Sequence, residues 1–291
     1  MIILDFKIIE KSLLVWFNKE KGEKEINMSG HSKWANIKHK KAKTDAARGV
    51  SFAKFSREII IAAKIGGPDI NGNFRLRTAV EKAKAGGLPN DTIKRAIDKG
   101  AGNAQGENFE EITYEGYGAG GVAVFIEAAT DNRNRTAGDI RSYFTKFGGN
   151  LGENGCVSWI FEPCGLISID KPIEADKRSK EEVKMFDFDK LFEDSMEFDP
   201  MVAWEDEDVG DYKIKTSVEN LESTAKGLEG LGYKIKSADL TRIPSNQSEV
   251  TDVEIAKKIV LLLEKLDEHD DVQNVYSNFE ASDEIMAKVD A

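Results

Sequence analysis

"EEITYEGYGAGGVAVFIEAATD", residues 110–131, is where the chain changes period. Before it, apolar residues recur at helical spacing; here β-branched and aromatic residues form two short runs around a glycine cluster. Such runs fit a pleated, half-buried surface and the glycines fit a tight turn, so the stretch predicts a β-hairpin. Gly116, Gly118, Gly120 and Gly121 also resemble a dinucleotide fingerprint. That fingerprint needs a helix N-terminus straight after the glycines to hold a pyrophosphate, and the strand-like VAVFIEAA follows instead. The hairpin reading stands.

Toward the C-terminus, "TDNRNRTAGDIRSYFTKFGGN" (130–150) predicts a helix from near Asn134. It would bury Ile140, Tyr143, Phe144 and Phe147 and stop at Gly148-Gly149. "CVSWIFEP" (156–163) reads as a buried strand that holds Cys156, with Cys164 just past its end. "GLISID" (165–170) is a further strand, and the charged stretch Lys171 to Lys184 reads as a solvated loop or helix. "FDFDKLFEDSMEF" (186–198) is an amphipathic helix, and two strands flank Gly210. A helix over 218–232 and a strand over 233–243 complete the order β-α-β-β-α-β, that of a ferredoxin-like sandwich. The helix "DVEIAKKIVLLLEKLDEHDD" (252–271) and the strand "VQNVYSNFE" (272–280) can complete a second sandwich begun before this unit.

Toward the N-terminus, "VSFAKFSREIIIAAKIGGP" (50–68), "NFRLRTAVEKAKAGG" (73–87) and "LPNDTIKRAIDKG" (88–100) each carry a helical apolar stripe. The last two could form a helix-turn-helix with Lys94 and Arg95 early in a recognition helix, or an ordinary αα-hairpin. Ahead of them, "MSGHSKWANIKHKKAKTDAARG" (28–49) holds five lysines, one arginine and a single acid. A helix from about Lys33 to Ala47 would be weakened by its like charges, so this segment reads as an arm that orders on an anion. The expected fold class is therefore α+β in three domains. An all-helical N-terminal domain spans 28–105, a ferredoxin-like α/β sandwich spans 106–164 with 246–291, and a second such sandwich, 165–245, is inserted in the first.

Charge is divided along the same lines. The chain carries −11 overall, yet residues 29–105 hold 16 Lys and Arg against 6 Asp and Glu, a net of +10, and residues 106–291 carry −21. A basic head on an acidic body points to a polyanionic partner, most commonly nucleic acid. The alternative is a head that docks on its own acidic body.

Other classes find little support. No apolar run approaches the ~20 residues of a bilayer span. Two cysteines, Cys156 and Cys164, make neither a disulfide framework nor a CxxC pair, which fits a reducing, cytoplasmic setting. His269 stands among Asp267, Glu268, Asp270 and Asp271, a pattern shared by cation sites and by solvated helix ends. The motifs of metalloproteases, serine hydrolases, P-loop enzymes and zinc fingers are not found. The expectation is a protein that is not an enzyme and uses no cofactor or metal.

"SGHSKWANIKHKKAKTDAARG", "GGPDINGNFRLRTAVEKAKAGGLPNDTIKRAIDKG", "YEGYGAGGVAVFIEAATDNRNRTAGDIR", "NLGENGCVSWIF" and "DVQNVYSNF" together resemble the YebC/PmpR family. The resemblance runs from Met28 to about Phe279 and is strongest over 28–164; Lys171 to Asp208 departs from the family pattern. Residues 1–27 fall outside it as an N-terminal extension of different composition, and Met28 is the expected biological start. The resemblance implies a three-domain α/β architecture with a helical N-terminal domain. It also implies a DNA-binding transcriptional regulator, with relatives, among them a mitochondrial activator of cytochrome-oxidase synthesis, that act in translation. Carried onto this chain, the nucleic-acid surface would comprise Lys33, Lys38, Lys40, Lys41, Lys43 and Arg48 of the arm. Arg75, Arg77, Lys82, Lys84, Lys94 and Arg95 of the helical domain would join them, with Arg133 and Arg135 as additions. The alternatives to a DNA-binding regulator are a ribosome- or rRNA-associated translation factor and a protein-interaction scaffold that binds no nucleic acid. The acidic body would offer a surface to a protein partner, and no membrane is implied.

Overall fold

The computed structural model describes residues 45–102, 109–172, 186–206 and 210–289, with side chains from residue 52 onward. The expected extension 1–27 and the arm up to residue 44 lie outside the described residues, as does most of the charged stretch after Lys171.

The helical domain has three described helices, α1 (Asp45–Gly66), α2 (Phe74–Ala85) and α3 (Asn90–Gly100). α1 runs unbroken through Arg48-Gly49-Val50, where the sequence reading separated two helices. Its stretch Ile59 to Ala63 is buried at every position, because α2 and α3 cover one side and the next domain covers another. Asn73 ties the end of α1 to the start of α2. Its side-chain oxygen accepts from the Leu76 amide at 3.0 Å, and its Nδ2 donates to the Ala62 and Gly67 carbonyls at 2.8 Å. α2 stops at Gly86 and at Gly87, whose φ of +84° suits glycine, while the Leu88 amide returns to the Ala83 carbonyl.

α3 crosses α1 at Gly100, where an added Cβ would meet the Ile60 carbonyl oxygen at 2.4 Å and the Ala63 Cβ at 2.7 Å. Backbone cannot step aside as a side chain can. Gly100→Ala is therefore expected to destabilise the helical domain by about 1–3 kcal/mol despite alanine's better helix propensity. Earlier hydrogen exchange of the α1 and α3 amides would show it, and unchanged protection would refute it.

The remaining elements follow in chain order: β1 (Glu110–Tyr117), β2 (Ala123–Thr130), α4 (Arg133–Lys146) and β3 (Asn150–Leu151). Next are β4 (Phe161–Asp170), α5 (Phe188–Ser195), β5 (Val202–Asp206), β6 (Asp211–Thr216), α6 (Leu221–Gly230) and β7 (Ile235–Pro244). The chain continues through β8 (Ser248–Glu249), α7 (Val253–Asp267), β9 (Val272–Ser277), β10 (Phe279–Glu280) and α8 (Asp283–Val289). β1 and β2 form the expected hairpin, paired from Glu110↔Thr130 to Tyr117↔Ala123.

The first sheet has the order β3-β1-β2-β9 with every pair antiparallel. β2 is buried on both faces, which explains its unbroken apolar reading. Val124, Ile126 and Ala128 pack with Ile140 and Phe144 of α4 and with Ile259 and Leu263 of α7. Ala123 and Phe125 pack with Val157, Ile160 and Phe161, and Ala129 joins the helical domain's core.

The second sheet, β5-β6-β4-β7, is also antiparallel throughout. Its strands come in the order second, third, first, fourth, as expected of a ferredoxin-like sandwich. Ile167, Ile169, Tyr212 and Ile214 face Leu191, Leu221, Ala225 and Leu228 from its helices. This unit is inserted between β3 and α7, entering at Phe161 and returning at Pro244, which are register partners.

One expectation fails here. Cys156 to Ile160 is a loop and a 3-10 turn, and a single strand starts at Phe161 with Cys164 buried inside it. The reason is Glu115, whose carboxylate accepts from the Gly155, Val157 and Ser158 amides, each at 2.8 Å. Those amides are therefore lost to any ladder. Pro163 is tolerated in β4 because β6 pairs only from Gly165 onward, so at Pro163 the strand has a neighbour on one side only. Among the described residues, no helix is long and apolar enough to cross a membrane.

Candidate nucleic-acid interface

The basic face of α1 lies along the seam between the helical domain and the first sandwich. Lys54 reaches Asp267, with its Nζ 3.2 Å from Oδ1 and a further contact to the backbone carbonyl. Arg57 lies 3.2 Å from the Asp271 carboxylate and also meets the Asp270 carbonyl. Lys64 donates to the Phe109 carbonyl at 3.1 Å. Arg57 and Lys99 each stand 5.3 Å from the Phe109 ring centroid, within cation–π range.

Across the seam is the N-terminus of α4. Asn132 caps it, its side chain accepting from the Arg135 amide at 3.2 Å. Cations are disfavoured at this end of a helix, and the structure shows what compensates them. Arg133 lies 3.5 Å from Glu110 and keeps 63% of its side chain exposed. Arg135 is 2.8 Å from both Asp131, one helical turn before it, and Asp271. Asp139 meets His269 Nε2 at 3.3 Å.

Asp271 is the hub of the seam. Its side chain is 2% exposed, yet it takes Arg57 from one domain, Arg135 from the other, and hydroxyl bonds from Thr136 (2.7 Å) and Thr130 (3.3 Å). Burial works against its charge, but the Arg135 and Thr136 hydrogen bonds outweigh that and hold its pKa below the usual value. The same bonds, from Asp271 first and then Asp131, raise the Arg135 pKa. His269 spends both ring nitrogens on protein, since its Nδ1 accepts from the Asp271 amide at 3.0 Å. An open cleft of about 490 Å³ lies between these groups, with Arg57, Arg135, Tyr143, His269 and Asp270 in its walls. Its acids outnumber its arginines, so the cleft is no bare phosphate receptor.

The residues singled out by sequence divide into four sets. Lys33, Lys38, Lys40, Lys41 and Lys43 lie outside the described residues, and Arg48 is described only as backbone within α1. Arg75, Arg77 and Lys82 of α2 meet acids of this same chain. Arg75 is 2.8 Å from Glu58 and 2.6 Å from Glu111, Arg77 is 2.8 Å from Glu222, and Lys82 is 2.6 Å from Asp239. Lys84, Lys94 and Arg95 point outward, Arg95 bonding among the described residues to Asp91 and Thr92 of its own first turn. Arg133 and Arg135 sit at the seam opposite Arg57. Sequence reasoning missed Lys54, Arg57 and Lys64, although spacings of three and seven put all three on one face of α1.

Comparison with known proteins fits this arrangement. Residues 32–103 match the family model for the TACO1/YebC protein N-terminal domain, and residues 109–279 match that for the TACO1/YebC second and third domain. A relative from Natranaerobius thermophilus, described as a probable transcriptional regulatory protein, is 49% identical over 89% of this chain and 99% of its own. One of the same description from Nostoc sp. is 50% identical over 89% of this chain and 98% of its own. The crystal structure of a conserved hypothetical protein, Aq1575, from Aquifex aeolicus is 45% identical with a TM-score of 0.74, covering 88% of this chain and 99% of that one.

Proposed function

The chain belongs to the TACO1/YebC family, and from that premise we propose that it is a cytoplasmic, non-enzymatic regulator of gene expression that binds duplex DNA. The observation that carries the reading is the charge division, +10 over residues 29–105 on a chain of −11. Its relatives' description as probable transcriptional regulatory proteins supports the choice of DNA. The contacts would come from the lysines of residues 33–43 and from the outward Lys84, Lys94 and Arg95, with Arg133 at the seam. Lysine is a point charge that meets any phosphate backbone, whereas base reading favours forked side chains. The basic head therefore sets affinity, and the acidic body limits unspecific wrapping.

The test is fluorescence anisotropy of the full chain on duplex DNA and on structured ribosomal RNA across a salt series. Each is run beside a variant with Lys38, Lys40, Lys41 and Lys43 changed to glutamine. Each neutralised phosphate contributes about −0.9 to the log–log salt slope on duplex DNA, so the variant's slope should be shallower by as much as about 3–4. Sequence-dependent DNA binding with that loss supports the reading. Preference for RNA, with no DNA sequence preference, would replace it by a translation factor, and no binding to either would leave a protein scaffold.

A further inference from the structure

We propose that α2 is held against the inserted sandwich by a releasable ionic latch, Arg77–Glu222 and Lys82–Asp239, which a polyanion opens by replacing the two carboxylates. The latch is an arrangement of this chain alone; only the identity of its physiological polyanion rests on the nucleic-acid reading above.

Among the described residues, the helical domain touches the rest of the molecule in two places of different character. Against the first sandwich the contact is mainly apolar and buried: Phe109 and Ala129 sit in the same core as Ile59, Leu76 and Ile93, with the buried Asp271 clasped by Arg57 beside them and the more exposed Arg75–Glu111 pair at the edge. Against the inserted sandwich the contact is two ion pairs and the half-buried ring of Phe74. The four charged side chains remain 24%, 38%, 49% and 27% exposed for Arg77, Glu222, Lys82 and Asp239. Pairs of this exposure are weak and screened by salt, unlike the buried seam.

Opening is also provided for at both ends. Glu222 already bonds Lys226 at 2.6 Å one turn along α6, so it keeps a counter-charge when Arg77 departs. Arg77 lies 5.3 Å over the Phe74 ring of its own helix, which keeps the guanidinium in place for a new acceptor. Lys82 lies 2.6 Å from Asp239 Oδ1 without hydrogen-bond alignment, and that oxygen is buried with no aligned donor among the described residues. Release would let water hydrate it. The displaced cations are then those a phosphate backbone takes up best, a forked guanidinium and an ammonium on one helix beside the outward Lys84. Two weak pairs give a closed state favoured by little, which a polyanion binding only the open state can invert.

The latch can be read directly by zero-length carbodiimide coupling, which joins the Lys82 amine to the Asp239 carboxylate only at contact. The yield is quantified by mass spectrometry of the full chain across a potassium chloride series, and at fixed salt with mixed-sequence duplex DNA or long-chain polyphosphate. Lys54–Asp267 at the seam, with side chains 15% and 24% exposed, is the internal reference. The Lys82–Asp239 yield should fall with salt and with each polyanion while the Lys54–Asp267 yield holds. A constant Lys82–Asp239 yield, or both yields falling together, overturns the proposal. Release by salt and polyphosphate but not by DNA keeps the latch and counts against the DNA reading alone. As a second readout, Glu222→Gln with Asp239→Asn should bind the probe that opens the latch several-fold tighter, because more of the protein is already open; unchanged affinity overturns the latch.

Discussion

Replacing Asp271 with alanine is expected to lower the stability of the folded chain by about 3–5 kcal/mol, the range for removing one partner from a buried charge cluster. The carboxylate is 2% exposed and answers two guanidiniums from two domains. Without it, Arg57, at 16% exposure, faces Arg135 with no shared counter-charge, and the Thr136 hydroxyl loses its shortest bond. Arg135 keeps Asp131 and Thr136 keeps Thr130, which favours the lower end of the range. Asp271→Asn preserves the shape and can accept from Thr136, so it should recover part of the loss but not the ionic share. Urea unfolding of both variants, with hydrogen exchange of the α1 amides, separates global from seam effects. Parent-like unfolding of Asp271→Ala would mean that the seam is held by its apolar contacts alone.

Glu115→Ala comes next, with an expected cost of about 3 kcal/mol. Each hydrogen bond to a charged group contributes about 1.5–3 kcal/mol, and water can rescue the donors that are only part-buried. The Val157 amide bond is fully buried and finds no such rescue, while those of Gly155 and Ser158 are part-buried. The loss should be local to the loop before β4. Burial first, and the charge of Glu115 second, hold the Cys156 thiol above its ordinary pKa, so the variant should alkylate faster at Cys156 than the parent. Equal rates would show that the loop keeps its form without Glu115.

Both carboxylates also set an acid limit. Burial tends to raise each, but hydrogen bonds prevail, the three amides for Glu115 and Arg135 with Thr136 for Asp271, so both fall below their ordinary values of 4.5 and 3.8. The fold therefore favours the charged form. Their stabilisation is complete above those ordinary values and is lost as pH falls through the lowered ones. Stability of the two alanine variants should accordingly change less with acidification than that of the parent.

The hairpin at residues 110–131 was legible because its two strand runs and its glycines are contiguous, and the inserted sandwich because its six elements follow one another without interruption. What could not be read depended on partners far away in sequence. The strand expected at Cys156 was unmade by a carboxylate on β1, and besides Asp131, one helical turn away, Arg135 has a second partner 136 positions downstream. The basic stripe of α2 shows the limit for function. Composition gives the sign of a surface but not what faces it, so the polyanion reading and the self-docking reading were both open. Arg75, Arg77 and Lys82 meet this chain's own acids, while Lys84, Lys94 and Arg95 face outward.

The pairing of Phe161 with Pro244 carries a consequence for the order in which the chain folds. The first sandwich closes only when α7 and β9 return to β2, after about 100 residues have passed since β3. If the inserted unit forms first, its ends emerge side by side, and the loop to be closed shrinks to the roughly 20 residues outside it. By the logarithmic law of loop closure, that lowers the entropic cost by about 1.5 kcal/mol. The inserted sandwich thus acts as a kinetic staple, so weakening its core should slow assembly of a neighbouring sheet to which it contributes no strand.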